Sequence, residues 1–391
     1  MKYNFDEIID RTNSSSIKYD FRKVLFGTKD LIPMWVADMD LRTPDFILNA
    51  MKKRIEHPVL GYSLKPEGYY DAIINWLKIR HHWDIEKSWI TFSPGVVPGL
   101  TMSVLAFTNP GDKVIVQPPV YFPFFSLIQG PGRELVYNPL KLVDGRYYMN
   151  FDDLKNKIDT KTKMLFLCNP HNPVGMVWKK DELLELAQIC LENDVLIVSD
   201  EIHSDLTFKP HYHIPLASLS PEIGNQVITF MAPSKTFNIA GLATSFALIK
   251  DPEKIKIYNK TLDDMHLQIG NIFGNVALEA AYTHGQEWLV QLLAYLQENV
   301  EYVIDFLDKN IPKIKAIRPE GTYMLWLDCR ELGLNDKKLK TFMNNKAGLG
   351  LNDGIMFGQE GSGFQRINIA CPKSVVEEAM HRLARAVNNM K

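Results

Sequence analysis

The 391-residue chain carries 46% hydrophobic and 23% charged residues and a formal net charge of -2. This balance excludes a disordered chain, and the absence of any block of like charge argues against nucleic acid or an anionic membrane as the main partner. The length exceeds that at which a single hydrophobic core stops growing, so two domains are expected.

The opening MKYNFDEIIDRTNSSS lacks the charged-then-apolar order of a signal peptide, and no stretch is long and apolar enough to span a bilayer. A cytoplasmic location and small-molecule chemistry are therefore expected. From about residue 90 to 250 short apolar runs alternate with helical patterns, the signature of a parallel sheet built from crossover units. The expected strands are Lys113–Gln117, Lys163–Cys168, Val195–Ser199, Val227–Met231 and Thr244–Ile249, rich in β-branched and large apolar residues as strands buried on both faces should be. Asp181–Asn193 spaces its apolar residues at helical intervals behind an acidic first turn. Glu287–Lys309 reads as one long amphipathic helix, with Leu289, Leu292, Leu293, Leu296, Val300, Val303, Ile304 and Leu307 as its stripe. Beyond it, strand and helix patterns alternate through TYMLWLDC and FQRINIA. The expected fold is α/β: a three-layer large domain at 46–286 with a mostly parallel central sheet, and a smaller α+β domain formed by both chain ends, 1–45 and 287–391. Cys168, Cys190, Cys329 and Cys371 show no zinc spacing and read as reduced core residues.

Ligands of open parallel sheets bind outside the carboxyl ends of the strands. There the chain places Asn169-Pro170-His171-Asn172-Pro173-Val174-Gly175, Asp200-Glu201-Ile202-His203 and Ala232-Pro233-Ser234-Lys235-Thr236-Phe237-Asn238. Lys235 could form an imine with a carbonyl, or be an exposed loop lysine. Asp200, after a buried strand, could face a cation such as a protonated ring nitrogen, or cap a helix. Small residues at Gly95, Val96 and Val97, ahead of a helix, could leave backbone N–H groups for an anion, with Ser234 adding a hydroxyl. Tyr121 could stack on a planar ring or simply pack in the core. Arg366 could grip a carboxylate through its fork or form a surface ion pair. Together these are the four parts that a carbanion-stabilising cofactor requires: an imine lysine, an acid, a phosphate cradle and a carboxylate anchor.

The set Asn172, Asp200, Ser234-Lys235 and Arg366, in this order, resembles the fold-type I pyridoxal phosphate (PLP) enzymes of the class I/II aminotransferase superfamily, over essentially the whole chain. The resemblance implies PLP bound as an imine to Lys235, with Asp200 at the pyridine nitrogen and Asn172 at the phenolic oxygen. It further implies Tyr121 on the ring, Gly95, Val96, Val97 and Ser234 around the phosphate, and Arg366, beside Asn172, on the substrate carboxylate. Lys235, Asp200 and Tyr121 would form the catalytic set. Tyr62 looks like the tyrosine that reaches the phosphate of a neighbouring subunit, which implies a homodimer with shared active sites. Where aminotransferases of this superfamily usually have tyrosine, this chain has His203, a further expected cofactor contact. That difference, the segment Ile32–Asp40 and the Asp-Glu-Ile-His run look like the carbon–sulfur β-lyase branch. The branch implies β-elimination from L-cystathionine, cysteine or S-substituted cysteines to thiol, pyruvate and ammonia. Transamination of amino acids is the alternative, and a non-catalytic or regulatory role a remoter one. A metal enzyme using Asp200, His203, His211 and His213 leaves Lys235 and Arg366 without a purpose, so no metal is expected.

Overall fold

The computed structural model describes residues 2–390. Seven strands form the central sheet: β1 (Ile90–Ser93), β2 (Lys113–Val116), β3 (Glu134–Tyr137), β4 (Thr162–Cys168), β5 (Leu196–Asp200), β6 (Val227–Met231) and β7 (Ser245–Ile249). Their spatial order is β1-β7-β6-β5-β4-β2-β3. The block from β6 to β3 is parallel. β7 runs antiparallel to both of its neighbours, so the expected strand at Thr244–Ile249 exists but the sheet is mixed. β1 and β3 were not foreseen. β3 is an edge strand with exposed ends, so its apolar signal is diluted.

Period-two alternation divides each central strand between two cores. Met164, Phe166, Val198 and Ile228 pack on one face with Leu100 and Val104 of the helix Val96–Phe107. Leu165, Leu167 and Ile197 pack on the other with Leu183, Leu186 and Ile189 of the helix Lys180–Glu192. Helices thus cover both faces, which explains why these strands read as continuous apolar runs. Burying each such side chain contributes about 1.5–3 kcal/mol. The same alternation puts Cys168 and Asp200, at the strand ends, on the face of the helix Val96–Phe107.

The second sheet comprises β8 (Lys315–Ile317), β9 (Met324–Asp328), β10 (Asn352–Asp353) and β11 (Phe364–Asn368), in the order β8-β9-β11-β10 and antiparallel throughout. The long helix spans Gln286–Asn310, and its stripe residues Leu289, Leu292, Leu296, Val300 and Leu307 are buried. Near the amino end, Ile32–Pro33 pairs in parallel with Leu349–Gly350, which carries the segment after it toward β11. All four cysteines are buried and unpaired. Among the described residues no helix is long and apolar enough to cross a membrane.

Candidate active site

The carboxyl ends of β4, β5 and β6 open on a cavity of about 240 Å3. It brings together Gly95, Val96, Val97, Tyr121, Asn172, Asp200, His203, Ser234 and Lys235, residues spread over 140 positions of sequence. Lys235 sits in the one-turn helix Pro233–Thr236 directly after β6. Thr236 Oγ1 donates to Asp205 Oδ2 at 2.8 Å, and Asn238 is tied to the backbone of Met39 and Leu41. The turn carrying the lysine is therefore anchored on both sides.

Lys235 Nζ donates to the Ala37 carbonyl at 2.7 Å. Burial, reinforced by the charge of Arg366, lowers its pKa to about 8, although Asp38 and Asp200 pull in the opposite direction. Asp200 is buried, and burial raises its pKa to about 7 despite the Ile202 N–H and the Lys235 charge. A carboxylate this costly to ionise is stabilised by a cation brought against it. His203 is pushed down to about 3 by burial, Lys235 and Arg366, so its imidazole is neutral. Its Nδ1 has no hydrogen-bond partner.

At the other end of the cavity, Gly95 caps the helix Val96–Phe107 with a φ of +136°, a conformation that glycine adopts without penalty. A Cβ there would lie 3.2 Å from Pro98 Cδ. The first N–H groups of a helix have no intrahelical acceptor. Pro98 has no N–H, and the Gly99 N–H already bonds the Gly95 carbonyl. Val96 and Val97 thus present their donors at the positive end of the helix dipole, beside Ser234.

Arg366 stands buried in the middle of β11; it does not line the cavity itself but is joined to it through Asn172. Its Nη1 donates to Asn172 Oδ1 at 2.9 Å, and its Nη2 to the Trp35 carbonyl at 2.9 Å and to Asn352 Oδ1 at 2.6 Å. These acceptors are uncharged, and Nε has none. Burial lowers its pKa to about 10, partly offset by Tyr121 and Tyr323. It is a cation held by neutral oxygens in the interior, ready for an anion.

Tyr62 lies outside this cavity, 96% exposed. The alternative metal set is split: Asp200 and His203 line this cavity, His211 and His213 another. Among the described residues no cluster suited to a metal occurs. Sequence reasoning overlooked Ala37, whose carbonyl accepts from both Lys235 and the Tyr323 hydroxyl (2.9 Å), because a backbone oxygen has no residue signature. It also treated Cys168 as core alone. Cys168 is buried, yet it lines the cavity and its Sγ accepts the Asn172 N–H at 3.4 Å.

The residues fit PLP: an amine for its carbonyl, an acid for its ring nitrogen, a planar side chain for its ring and helix-end donors for its phosphate. Comparison with known proteins agrees. Residues 32–383 match the family model of class I and II aminotransferases. A cystathionine beta-lyase, PatB of Bacillus subtilis, is 42% identical over 98% of this chain and 100% of its own. A PLP-bound C-S lyase from Staphylococcus hominis superposes with a TM-score of 0.92 at 36% identity, over 99% of this chain and 98% of that one. A PLP-bound chain from Clostridium difficile 630, provisionally described as an aminotransferase, superposes with a TM-score of 0.97 at 45% identity, over 99% and 100%. The chain belongs to the class I and II aminotransferase family.

Proposed function

We propose that this protein is a PLP-dependent carbon–sulfur β-lyase that releases thiol, pyruvate and ammonia from L-cystathionine, cysteine or S-substituted cysteines. The observation that carries the reading is the full-length identity to a cystathionine beta-lyase, joined to a cavity whose buried groups match the cofactor. His203, in place of the tyrosine usual in aminotransferases of this superfamily, favours elimination over transamination.

PLP, when bound, supplies an electron sink for the charge left on Cα. Every other task falls to the chain. Arg366 holds the substrate carboxylate and so fixes the orientation of the bonds at Cα. Asp200, paired with the ring nitrogen, keeps a proton there. Lys235 would hold the cofactor, and its amine, when free, would take the Cα proton, a role that suits a pKa of about 8. The sulfur then leaves from Cβ with its bonding electrons. Val96, Val97 and Ser234 would hold its phosphate, Asn172 its phenolic oxygen, and Tyr121 and His203 its ring.

The domain division at 46–286 against 1–45 with 287–391 is part of this reading, as is a homodimer with shared sites. The dimer is supported by the exposure of Val59, Leu60, Tyr62 and Leu64 in one segment, a patch that monomers rarely leave bare. Four buried, unpaired cysteines suit a reducing cytoplasm. The test is to incubate PLP-loaded protein with L-cystathionine and with an S-alkyl cysteine and measure pyruvate and thiol. Release of both without a 2-oxo acid acceptor is expected; turnover only with an acceptor would establish transamination instead.

A further inference from the structure

The turn from β1 into the helix Val96–Phe107 is held by two hydroxyls that do not themselves line the cavity. Ser93 ends β1, and the antiparallel register places Ser245 of β7 directly opposite it. Both are fully buried. Ser245 Oγ accepts the Gly95 N–H at 3.1 Å and donates to the Ser93 carbonyl at 3.0 Å. Ser93 Oγ donates to the Gly95 carbonyl at 2.7 Å, and the same carbonyl accepts the Gly99 N–H at 3.0 Å.

These bonds fix the two peptide units around Pro94 and the unit that joins Gly95 to Val96. In that last unit, planar and trans, the carbonyl and the N–H point in opposite directions. Holding the Gly95 carbonyl on two donors therefore sets the direction of the Val96 N–H. Glycine permits the φ of +136° found here but does not enforce it, so the hydroxyls must. The Gly95 N–H, spent on Ser245, is not free for an anion. Direction matters at this end of the cavity because charge is scarce. Lys235 is the only cation on the cavity wall among the described residues, and its amine serves the carbonyl of the cofactor. A phosphate is left to neutral donors, whose hydrogen bonds weaken steeply once bent. Thr244 Oγ1, buried on the same wall, has no hydrogen-bond partner, an atom that a ligand at this end would satisfy.

With the phosphate of PLP at Val96, Val97 and Ser234 as proposed above, we infer that Ser93 and Ser245 are positioning residues: without touching the cofactor, they hold the Gly95 turn so that the Val96 N–H meets the phosphate. The reversed direction of β7 thereby gains a task at the site, since it is this strand that brings Ser245 to Ser93.

The test is titration of the full-length apoenzyme, followed by visible absorbance, with PLP and with pyridoxal, which offers the same carbonyl to Lys235 but has no phosphate. Ser93→Ala and Ser245→Ala are each expected to weaken PLP binding about tenfold, the usual effect of spoiling one charge-assisted hydrogen bond, and to leave the affinity for pyridoxal unchanged. A substitution that merely loosened the fold would weaken both ligands alike, so equal losses overturn the inference. It is also overturned if both variants keep the wild-type PLP affinity while Ser234→Ala, which removes a direct donor, weakens it. Unchanged PLP affinity in all three variants would remove the phosphate from this end of the cavity, and with it both the inference and the assignment on which it rests.

Discussion

Replacing Arg366 by lysine keeps the charge and removes the fork, and the structure says what that costs. An arginine has five N–H donors. Three are used, on Asn172, the Trp35 carbonyl and Asn352, which leaves two, one on Nε and one on Nη1, for a substrate carboxylate. A lysine has three donors in all, and the same three oxygens would claim them. The substrate thus loses one to two charge-assisted hydrogen bonds, each about 1.5–3 kcal/mol, and retains a weaker Coulomb attraction. A net loss near 3 kcal/mol corresponds to a drop in kcat/KM of roughly 150-fold, with KM carrying part of it if the carboxylate is held equally in ground and transition states. The assay is pyruvate release from an S-alkyl cysteine, with the visible absorbance of bound PLP as the control for cofactor loading. A fully loaded Arg366→Lys variant within about threefold of wild type in kcat/KM would refute the assignment, since so small a change is less than one such bond.

Three further outcomes follow from the same geometry. Asp200 has a pKa raised from 3.8 to about 7 by burial, so the folded apoprotein binds a proton that the unfolded chain has already lost, and stability falls as pH rises from about 4 to 7; Asp200→Asn apoprotein should gain on wild type across that window by up to about 4 kcal/mol. Urea unfolding at pH 4.5 and 8 measures this, and a pH-independent difference would contradict it. His203 is held neutral by a pKa near 3, so His203→Gln should leave the shape of the kcat/KM profile between pH 5 and 8 unchanged; a lost limb would show that His203 titrates there. Lys235→Ala and Tyr62→Ala variants should each lose activity, and refolding them together should restore about a quarter of the sites, because half the dimers are mixed and half of each mixed dimer is intact. No recovery would mean that each chain completes its own site.

Much of this site is legible in the sequence because its parts sit where strands end. The buried runs that became β4, β5 and β6 were bounded to within a residue or so, and each boundary delivered the polar group that follows it: Asn172, Asp200 and Lys235. Direction within the sheet was less legible. The run at Ser245–Ile249 is as apolar as its parallel neighbours, but it pairs antiparallel on both sides, a long-range choice that side-chain pattern does not encode. Ile90–Ser93 alternates apolar Ile90 and Phe92 with polar Thr91 and Ser93 over only four residues, so it lacks the unbroken apolar run that marks Lys113–Val116. The contacts of Arg366 were equally hidden, since the turn after β4, the strand β10 and the Trp35 carbonyl supply them.

That carbonyl belongs to a strap, Trp35 to Asp40, that explains why the functional constellation extends to both ends of the chain. Its peptide oxygens are claimed one after another: Trp35 by Arg366, Val36 and Asp38 by Asn368 Nδ2, and Ala37 by Lys235 and Tyr323. Its acids are claimed too, Asp38 and Asp40 by Arg11 and Asp40 by the buried Lys18. The strap therefore binds the central sheet, through Lys235, to the second sheet, through Arg366, Asn368 and Tyr323. Lys235 owes its depressed pKa to burial and to Arg366, and is partly restored by Asp38, so its basicity depends on where both sheets hold this one segment. Moving the second sheet relative to the first would change the acceptor at Nζ and the cation beside it in a single step. Lys235 is thus tuned by residues more than a hundred positions away on either side, which is a physical reason for the family likeness to run the length of the chain rather than stop at the cavity beside it.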